Sequence, residues 1–305
     1  MKSAVITGAT GMIGCSLIDY LIKEGIRVTA IVRPQSKRKA MISNHPLVNV
    51  VECELDALVT CDIRTIGDTD VFFHLAWDGT VGEARNDCYL QNNNVRYTLD
   101  AVELSNRLNC GTFVFAGSQA EFGRVDGLLN SSMPSKPENA YGVAKYSAEL
   151  MSKMMCNNLN IKHTTVRILS VYGPNDGENT MVSSTIRKLL KGEETSFTPC
   201  EQKWDYLYCN DAAKALYLVA LRGKKDAVYC LGSGEAKELR FYVETIRDII
   251  NPKAELGIGK VPYAKNQVMM LCADIQELKN DLGFEPEYSF EKGIEETIKW
   301  WRERI

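Results

Sequence analysis

The N-terminus of the chain carries the feature that most restricts its fold: a short apolar strand, a turn with three glycines and then a helical pattern. The strand pattern covers residues 2–7, and the glycines are Gly8, Gly11 and Gly14. A strand, a glycine turn and a helix in this order form the context of a dinucleotide-binding loop. Gly8 permits the tight turn, Gly11 lets the backbone approach a pyrophosphate, and Gly14 lets the helix pack closely on the strand.

The start of this helix predicts where phosphates would bind. A helix N-terminus has free backbone N–H groups and the positive end of the helix dipole, which here fall at Met12 and Ile13. The glycine spacing is GxxGxxG rather than GxGxxG. A tight strand-to-helix turn without a ligand is the alternative interpretation.

Apolar strands and helical patterns alternate over the rest of the chain. The predicted strands cover 2–7, 27–33, 48–53, 70–76, 111–118 and 162–170. The predicted helices cover 12–25, 86–109, 141–158, 180–191, 211–222, 238–250 and 290–304. This alternation predicts an α/β fold of the Rossmann type, in which a doubly wound parallel sheet is covered by helices on both faces.

The second half of the chain is richer in loops, since seven of the nine prolines lie after residue 130. We therefore expect a dinucleotide-binding domain over residues 1–170 and a smaller C-terminal substrate-binding lobe over 171–204 and 233–305. Residues 205–232 are expected to return to the first domain.

Composition disfavours several classes of protein. The 305 residues carry a net charge of −3 and no basic run longer than residues 37–39, so no nucleic-acid-binding surface is expected. The ten cysteines include no CxxC pair and there are three histidines, so no metal site is predicted. Cysteines in apolar segments fit a reducing, cytoplasmic compartment. No apolar run approaches the ~20 residues of a membrane span.

A tyrosine and a lysine four residues apart, Tyr141 and Lys145, form the candidate proton-transfer pair. They lie on one face of the predicted helix, one turn apart. A phenol titrates near ~10, and a nearby ammonium lowers that pKa, which allows proton transfer near pH 7. Because any exposed helix can carry this pair by chance, the prediction depends on its combination with the glycine turn and with Ser118. Ser118 ends an apolar strand, at the sheet edge where ligands bind.

Together these residues resemble the extended short-chain dehydrogenase/reductases of the NAD-dependent epimerase/dehydratase family, which act on sugar nucleotides. Five further segments resemble family motifs: residues 74–77 (HLAW), 93–95 (NNV), 167–174 (RILSVYGP), 204–211 (WDYLYCND) and 231–234 (LGSG). The matches occur in order over nearly the whole chain. They are highly specific for the family and much less specific for a substrate.

The resemblance implies a role for each site residue. Tyr141 would donate a proton to the forming alkoxide, Ser118 would hydrogen-bond the substrate oxygen, and Lys145 would lower the Tyr141 pKa and bind the nicotinamide ribose. The implied cofactor contacts are Gly8, Gly11, Met12, Ile13, Gly14, Arg33, Glu54, Leu55, Ala76, Asn94 and Lys145. The expected substrate contacts are Trp77, Gln119, Glu121, Ser170, Tyr172 and Trp204, with Asp205 nearby.

The end of the second predicted strand favours NADP(H) over NAD(H). NAD-preferring relatives place a carboxylate there, whereas this chain has Val32 and Arg33, followed by Lys37 and Arg38. A guanidinium can pair with a 2′-phosphate. Solvated loop cations on an NAD-dependent enzyme are the alternative.

The sequence leaves two ligand contacts undecided, one with the adenine and one with a diphosphate. The adenine would lie against Glu54–Leu55 or, in a competing alignment, against Asp62–Ile63. Trp204 replaces an arginine usual in relatives, so a diphosphate clamp would have to come from elsewhere, for example from Arg187 or Arg240.

Departures from the family narrow the expected reaction. Related 4,6-dehydratases carry an aspartate and a glutamate that eliminate water, where this chain has Gln119 and Ala120. Dehydration is therefore disfavoured, and the closest resemblance is to NADP(H)-dependent reductases of nucleotide-linked 4-keto-6-deoxy sugars. A nucleotide-sugar epimerase is the first alternative. A non-catalytic dinucleotide-binding sensor is the second.

The resemblance also implies a homodimer. In the family, the helices that correspond to 86–109 and 141–158 form a four-helix bundle across the dimer. Apolar residues on both predicted helices permit this contact: Leu99, Val102, Leu150 and Met154.

Overall fold

The computed structural model describes residues 1–265 and 267–305. The strands, in chain order, are β1 Ser3–Thr7, β2 Arg27–Val32, β3 Val48–Glu52, β4 Val71–His74, β5 Thr112–Ser118, β6 Lys162–Ile168, β7 Ser170–Tyr172, β8 Lys203–Trp204, β9 Tyr206–Tyr208, β10 Val228–Leu231, β11 Lys237–Glu238 and β12 Met270–Leu271. The α-helices are α1 Met12–Lys23, α2 Cys88–Arg107, α3 Ala140–Asn158, α4 Met181–Lys191, α5 Cys209–Arg222, α6 Leu239–Ile250, α7 Gln276–Leu282 and α8 Phe290–Arg302.

Seven strands form one parallel sheet in the order β10-β6-β5-β4-β1-β2-β3. The chain therefore runs outward from β1 in both directions, first through β2 and β3 and then through β4, β5 and β6. At this switch point Thr7 at the end of β1 pairs with His74 at the end of β4. A crevice opens beyond such paired carboxyl ends, and ligands bind there in doubly wound sheets. The predicted fold class is confirmed.

The two faces of the sheet are buried under different helices. Phe73 packs in a cluster with Leu17 of α1 and Leu216 of α5, whereas its neighbour Phe72 packs in a second cluster with Val102 of α2. Successive residues of a strand point to opposite faces, which explains the near-continuous apolar strands in the sequence. Val102 is fully buried, so the prediction that it contributes to a dimer contact is wrong.

The six predicted strands and seven predicted helices are all present, with shifted ends. One assignment is wrong, because the strand predicted over 162–170 ends at Ile168 and a separate strand, Ser170–Tyr172, pairs with β9. Six elements were not predicted: the strands β8 to β12 and the helix Gln276–Leu282. All of them are too short for periodicity to separate them from loops.

Apart from the main sheet, the structure contains the β7–β9 pair, the small sheet β11-β8-β12 and the helices α4, α6 and α8, which we call the C-terminal lobe. Its core is aromatic and includes Tyr172, Tyr208 and Phe290. The Tyr172 hydroxyl donates to the Phe290 carbonyl at 3.1 Å, and the residue is 1% exposed. The expectation that Tyr172 lines the substrate cleft is therefore wrong. The strand Val228–Leu231 brings the chain back to the main sheet beside β6.

Among the residues that the structure describes, no helix has both the length and the apolar character needed to cross a bilayer. The same part of the chain contains no group of three or more His, Cys, Asp and Glu side chains placed to hold a metal ion.

Candidate active site

The glycine turn after β1 is shaped by two close approaches. Gly8 has a φ of +71°, and a Cβ there would lie 2.7 Å from the Ala76 nitrogen beyond β4. A Cβ on Gly14 would lie 2.3 Å from the Gly8 carbonyl oxygen, so α1 packs directly on the turn. No side chain caps α1 at Gly11. The first N–H groups of the helix therefore face the turn as a pyrophosphate site would require, and the turn fits a nicotinamide dinucleotide.

A cavity of about 260 Å³ opens between this turn and the ends of β2 and β4. Its walls are formed by Gly8, Thr10, Gly11, Ile31, Val32, Arg33, Arg38, Cys53, Leu55, Leu75, Ala76, Trp77 and Asp78. The predicted cofactor residues among them are Gly8, Gly11, Arg33, Leu55 and Ala76. Trp77, which was predicted as a substrate contact, lies in the same wall.

Several predicted cofactor residues lie beside this cavity instead of in its wall. The side chains of Met12 and Ile13 pack into two hydrophobic clusters, so what they present to the turn is backbone. Glu54 faces a neighbouring surface groove. The Glu54 side chain does not line the cavity, whereas Leu55 after it does, so the contact of Glu54 with the cofactor stays a prediction.

The alternative adenine contact, Asp62, is engaged elsewhere. Its carboxylate accepts hydrogen bonds from the Arg64 backbone at 3.0 Å and from Arg64 Nε at 2.9 Å. It borders the surface groove and not the cavity wall. The geometry therefore favours the alignment that uses Leu55.

Asn94 has a different place from the one expected. The residue is 1% exposed, and its Nδ2 donates to the carbonyls of Asp78 at 2.9 Å and Leu90 at 3.2 Å. Its Oδ1 accepts from the Asp78 N–H at 2.9 Å. The expectation of a direct cofactor contact is therefore wrong. Asn94 instead fixes the segment after β4 that carries Trp77 and Asp78.

The cavity edge next to β2 is cationic. Arg33 Nη1 lies 3.4 Å from Asp78 Oδ1, and Arg38 donates to the backbone carbonyl of Asn175 in the C-terminal lobe. Asp78 is the only carboxylate among the described wall residues, and it follows β4 instead of β2. The position that would hold an acid against an adenosine ribose is Val32.

Ser118, Tyr141 and Lys145 meet beyond the end of β5. The Ser118 side chain is close enough to the Tyr141 phenol to lower its pKa. Lys145 Nζ donates to the Ala116 carbonyl at 2.7 Å and lies 3.8 Å from the centre of the Trp77 ring. All three site residues are buried, with exposed fractions of 8%, 8% and 3%.

Local sequence explains how α3 reaches this place. The Asn139 side chain accepts from the Gly142 N–H at 2.8 Å and so begins the helix just before Tyr141. A Cβ on Gly142 would lie 2.4 Å from the Ala120 carbonyl oxygen. The glycine after Tyr141 therefore lets the helix approach the segment that carries Ser118.

The pKa values of Tyr141 and Lys145 differ from those expected for the proton-transfer pair. Burial raises the pKa of Tyr141, and Ser118 and Arg85 offset part of that rise. Burial lowers the pKa of Lys145 to about 7, against a smaller raising effect of Glu121. Lys145 Nζ lies 5.9 Å from the centre of the Tyr141 ring and points to the Ala116 carbonyl. The expected lowering of the Tyr141 pKa is therefore wrong, because burial gives a net rise.

Arg85 is a site residue that sequence reasoning missed. Its guanidinium carbon lies 4.2 Å from the centre of the Tyr141 ring, and its Nη1 donates to the Thr80 carbonyl at 3.0 Å. It belongs to a short 3-10 helix, Gly82–Asn86, that no sequence pattern marks. Arg85 and Gln119 line a second cavity of about 310 Å³. Gln119, predicted as a substrate contact, is therefore accessible beside Tyr141.

Glu121 has no access to either cavity. It is 0% exposed, and its Oε1 accepts from the Ser118 backbone N–H at 2.6 Å. The expectation that it contacts substrate is wrong. The spacing Ser-x-x-Glu from Ser118 to Glu121 is a capping-box pattern, and that signal in the sequence could have predicted its real place.

The remaining predicted substrate residues contact each other. Trp204 Nε1 donates to Ser170 Oγ at 2.7 Å. Asp205 is buried and accepts from the Ser233, Gly234 and Ala273 backbones, so it holds the C-terminal lobe together rather than facing a ligand.

The two arginines considered as a replacement clamp are both paired. Arg187 lies 2.9 Å from Glu178, and Arg240 lies 3.8 Å from Glu244. Neither borders the two cavities beside the candidate site.

Comparison with a family model identifies a match over most of the chain. The NAD dependent epimerase/dehydratase family model aligns with residues 4–232, which include the glycine turn, Ser118, Tyr141 and Lys145. The family resemblance inferred from the sequence is confirmed.

Individual proteins match over nearly their whole length. The chain is 28% identical over 309 residues to a putative UDP-glucose 4-epimerase of Methanocaldococcus jannaschii, with 98% of each chain covered. It is 26% identical over 309 residues to a CDP-abequose synthase of Salmonella typhimurium, with 97% of each covered. Among solved structures, a UDP-N-acetylglucosamine 4-epimerase from Methanobrevibacter ruminantium M1 in complex with UDP-N-acetylmuramic acid superposes with a TM-score of 0.89. That structure is 25% identical in sequence, with 100% of this chain and 99% of the other covered.

Proposed function

The chain belongs to the NAD dependent epimerase/dehydratase family, and on that premise we propose that it is an NADP(H)-dependent reductase of a nucleotide-linked 4-keto-6-deoxy sugar. It is an enzyme that modifies nucleotide sugars with a nicotinamide dinucleotide. Our proposal adds that the reaction is a net reduction and that the cofactor is NADP(H).

The cationic edge of the cofactor cavity carries the proposal. Arg33 and Arg38 line the wall beyond β2, where an NAD-binding relative would have a carboxylate. A guanidinium forms strong paired hydrogen bonds with a phosphate. A preference for NADPH implies a reductant that is bound, oxidised and released, which suits a net reduction.

Three side chains would carry out the proton transfer and the positioning. The bound dinucleotide supplies the hydride to the keto carbon. Tyr141 donates its phenolic proton to the oxygen that becomes the hydroxyl, and Ser118 hydrogen-bonds the same oxygen and stabilises its developing charge. Lys145 orients the nicotinamide ribose. Its place between the Ala116 carbonyl and the Trp77 ring puts the ammonium next to the cofactor cavity.

The surroundings of Ser118 disfavour dehydration. Elimination of water needs an acid and a base near the sugar, and the two positions after Ser118 are Gln119 and Ala120. The next carboxyl group along the sequence, Glu121, is 0% exposed and is sealed beneath the strand end.

A nucleotide-sugar 4-epimerase is the second candidate. Ser118, Tyr141 and Lys145 would serve equally in an enzyme that oxidises and re-reduces one carbon. The names of the Methanocaldococcus and Methanobrevibacter proteins support this candidate. The two differ in product: the reductase consumes one NADPH per sugar, and the epimerase consumes none.

The proposal includes a homodimer and a cytoplasmic location. Val143, Leu150, Met151 and Met154 give the outer face of α3 an apolar surface that is 36–66% exposed. The ten cysteines are unpaired, which suits a reducing compartment.

Cofactor binding provides the first experiment. NADPH and NADH fluorescence titrations on the protein without added cofactor should give the lower Kd for NADPH. Equal or tighter binding of NADH would contradict the cofactor assignment and favour the epimerase.

A further inference from the structure

A buried cluster directly beneath Ser118 contains two carboxyl groups for one guanidinium. Glu121, Glu149 on α3 and Arg167 on β6 are 0%, 2% and 4% exposed. Arg167 donates two hydrogen bonds to Glu149, from Nε at 3.0 Å and from Nη2 at 3.1 Å. The same Nε lies 2.9 Å from Glu121 Oε2. One cation therefore faces two acids in a buried cluster.

The second oxygen of Glu121 lacks a donor. Oε1 accepts from the Ser118 N–H, but Oε2 has no hydrogen-bond donor among the described residues, because the Arg167 Nε–H is directed to Glu149. Arg167 Nε lies 2.9 Å from Glu121 Oε2 and 3.0 Å from Glu149 Oε2, so the two carboxyl groups meet at one nitrogen. A proton on Glu121 Oε2 would be donated to Glu149. It would satisfy the orphaned atom and remove the repulsion between two buried charges.

We propose that Glu121 and Glu149 share one proton, so that the cluster is electrically neutral and Glu121 is an uncharged positioning residue for Ser118. Glu121 and Ser118 form a reciprocal capping box at the end of β5. A Cβ on Gly117 would lie 2.7 Å from Glu121 Oε1, so the carboxyl group is packed tightly against the strand. This packing fixes the backbone of Ser118, whose hydroxyl accepts from the Ala120 N–H at 3.2 Å.

The groups that face Glu121 come from three elements. They are Tyr141, Lys145 and Glu149 on α3, Arg167 on β6 and Cys230 on β10. Burial and Glu149 raise the pKa of Glu121 to about 8, although Arg167 opposes this. Above that pH the cluster would gain a negative charge beneath the point where an alkoxide forms, and this charge would oppose the reaction.

Infrared spectra of the protein without substrate test the proton directly. At pH 7, the difference between wild type and Glu121→Gln should contain the C=O stretch of one protonated carboxyl group. The band should disappear as the pH is raised through about 8. In Glu149→Gln, Glu121 becomes the sole acid beside Arg167 and should ionise. The band of a protonated carboxyl group should therefore be absent although Glu121 remains. A wild type without this band at pH 7 would overturn the proposal, and that comparison stands even if Glu149→Gln does not fold.

Measurements of kcat test whether Glu121 positions Ser118. This test rests on the proposed function, because it follows the reduction of a sugar. Glu121→Leu removes the acceptor of the Ser118 N–H and should lower kcat at least about tenfold at pH 7. Glu121→Gln keeps that acceptor, so it should recover most of the loss and lack the fall in kcat above about pH 8. If both variants lose the same amount of kcat and the pH profile of kcat is unchanged, Glu121 does not act as an uncharged positioning residue. If the wild type reduces no sugar, the proposed function is wrong. The infrared band still shows whether Glu121 and Glu149 share a proton.

Discussion

The guanidinium carbon of Arg85 lies 4.2 Å from the centre of the Tyr141 ring, closer than the ammonium of Lys145, which lies 5.9 Å away. Arg85 also lowers the pKa of Tyr141, against the larger raising effect of burial. The nearer cation to the phenol therefore comes from the segment after β4 and not from the helix that carries the tyrosine.

This relationship predicts that Arg85→Leu lowers kcat about tenfold, because a phenol with a higher pKa is a weaker proton donor. The Kd of NADPH should stay within about threefold, since Arg85 does not line the cofactor cavity. Arg124→Leu is the control: Arg124 borders the same second cavity but pairs with Glu138 at 2.7 Å. Equal losses of kcat in both variants would argue against a specific effect on Tyr141.

Removal of the Arg33 guanidinium should change cofactor preference. Loss of a charge-assisted contact of about 1.5–3 kcal/mol predicts a Kd for NADPH that is roughly 10- to 100-fold higher in Arg33→Ala. The Kd for NADH should change much less, because NADH has no 2′-phosphate. Arg64→Ala, which loses a surface pair with Asp62 outside the cavity, serves as the control in the same titrations. A parallel loss of both cofactors would point to a structural effect of Arg33.

The Glu121 pKa predicts a pH-dependent stability. Burial and Glu149 raise it from 4.5 to about 8 in the folded protein. Between these values the folded state holds a proton that the unfolded chain releases, so this group makes the protein less stable as the pH rises. Glu121→Gln removes the effect. Its free energy of unfolding, measured with urea from pH 5 to 8, should rise relative to wild type by roughly 1 kcal/mol per pH unit. A difference that does not vary with pH would contradict the raised pKa.

The apolar outer face of α3 predicts a dimer that a charge should disrupt. Met154 is 66% exposed in the single chain. Met154→Glu would place an unpaired charge in the proposed contact and should convert the dimer to a monomer in sedimentation velocity experiments. Met41→Glu, at a residue that is 38% exposed away from α3, should leave the dimer intact. A wild type that sediments as a monomer would remove the proposed contact.

Much of the scaffold could be predicted because it follows regular patterns. The strand that ends at Ser118 is a continuous buried run, and the helix that begins before Tyr141 buries residues at helical spacing. Fixed offsets within such elements bring distant residues to one sheet edge. The glycine turn was predictable because Gly8 and Gly14 occupy positions without space for a Cβ, which only glycine can fill.

The parts that were not predicted depend on loops and on competition between charges. Arg85 reaches Tyr141 through a short 3-10 helix whose direction no periodicity encodes. Asn94 lies in a segment that resembles a family motif, but the choice between binding a ligand and binding the Asp78 backbone depends on three-dimensional fit. The pKa of Tyr141 was predicted with the wrong sign, because sequence spacing reveals the nearby lysine but not the cost of burial.

The most direct test of the account follows NADPH and sugar together. The purified protein is incubated with NADPH and, in turn, the 4-keto-6-deoxyglucose derivatives of CDP, dTDP, UDP and GDP. At least one of them should be reduced, with one NADPH oxidised per sugar. Tyr141→Phe should lower this rate by at least ~10²-fold. Isomerised sugar without net NADPH oxidation, or an unchanged rate in Tyr141→Phe, would contradict the proposed reduction.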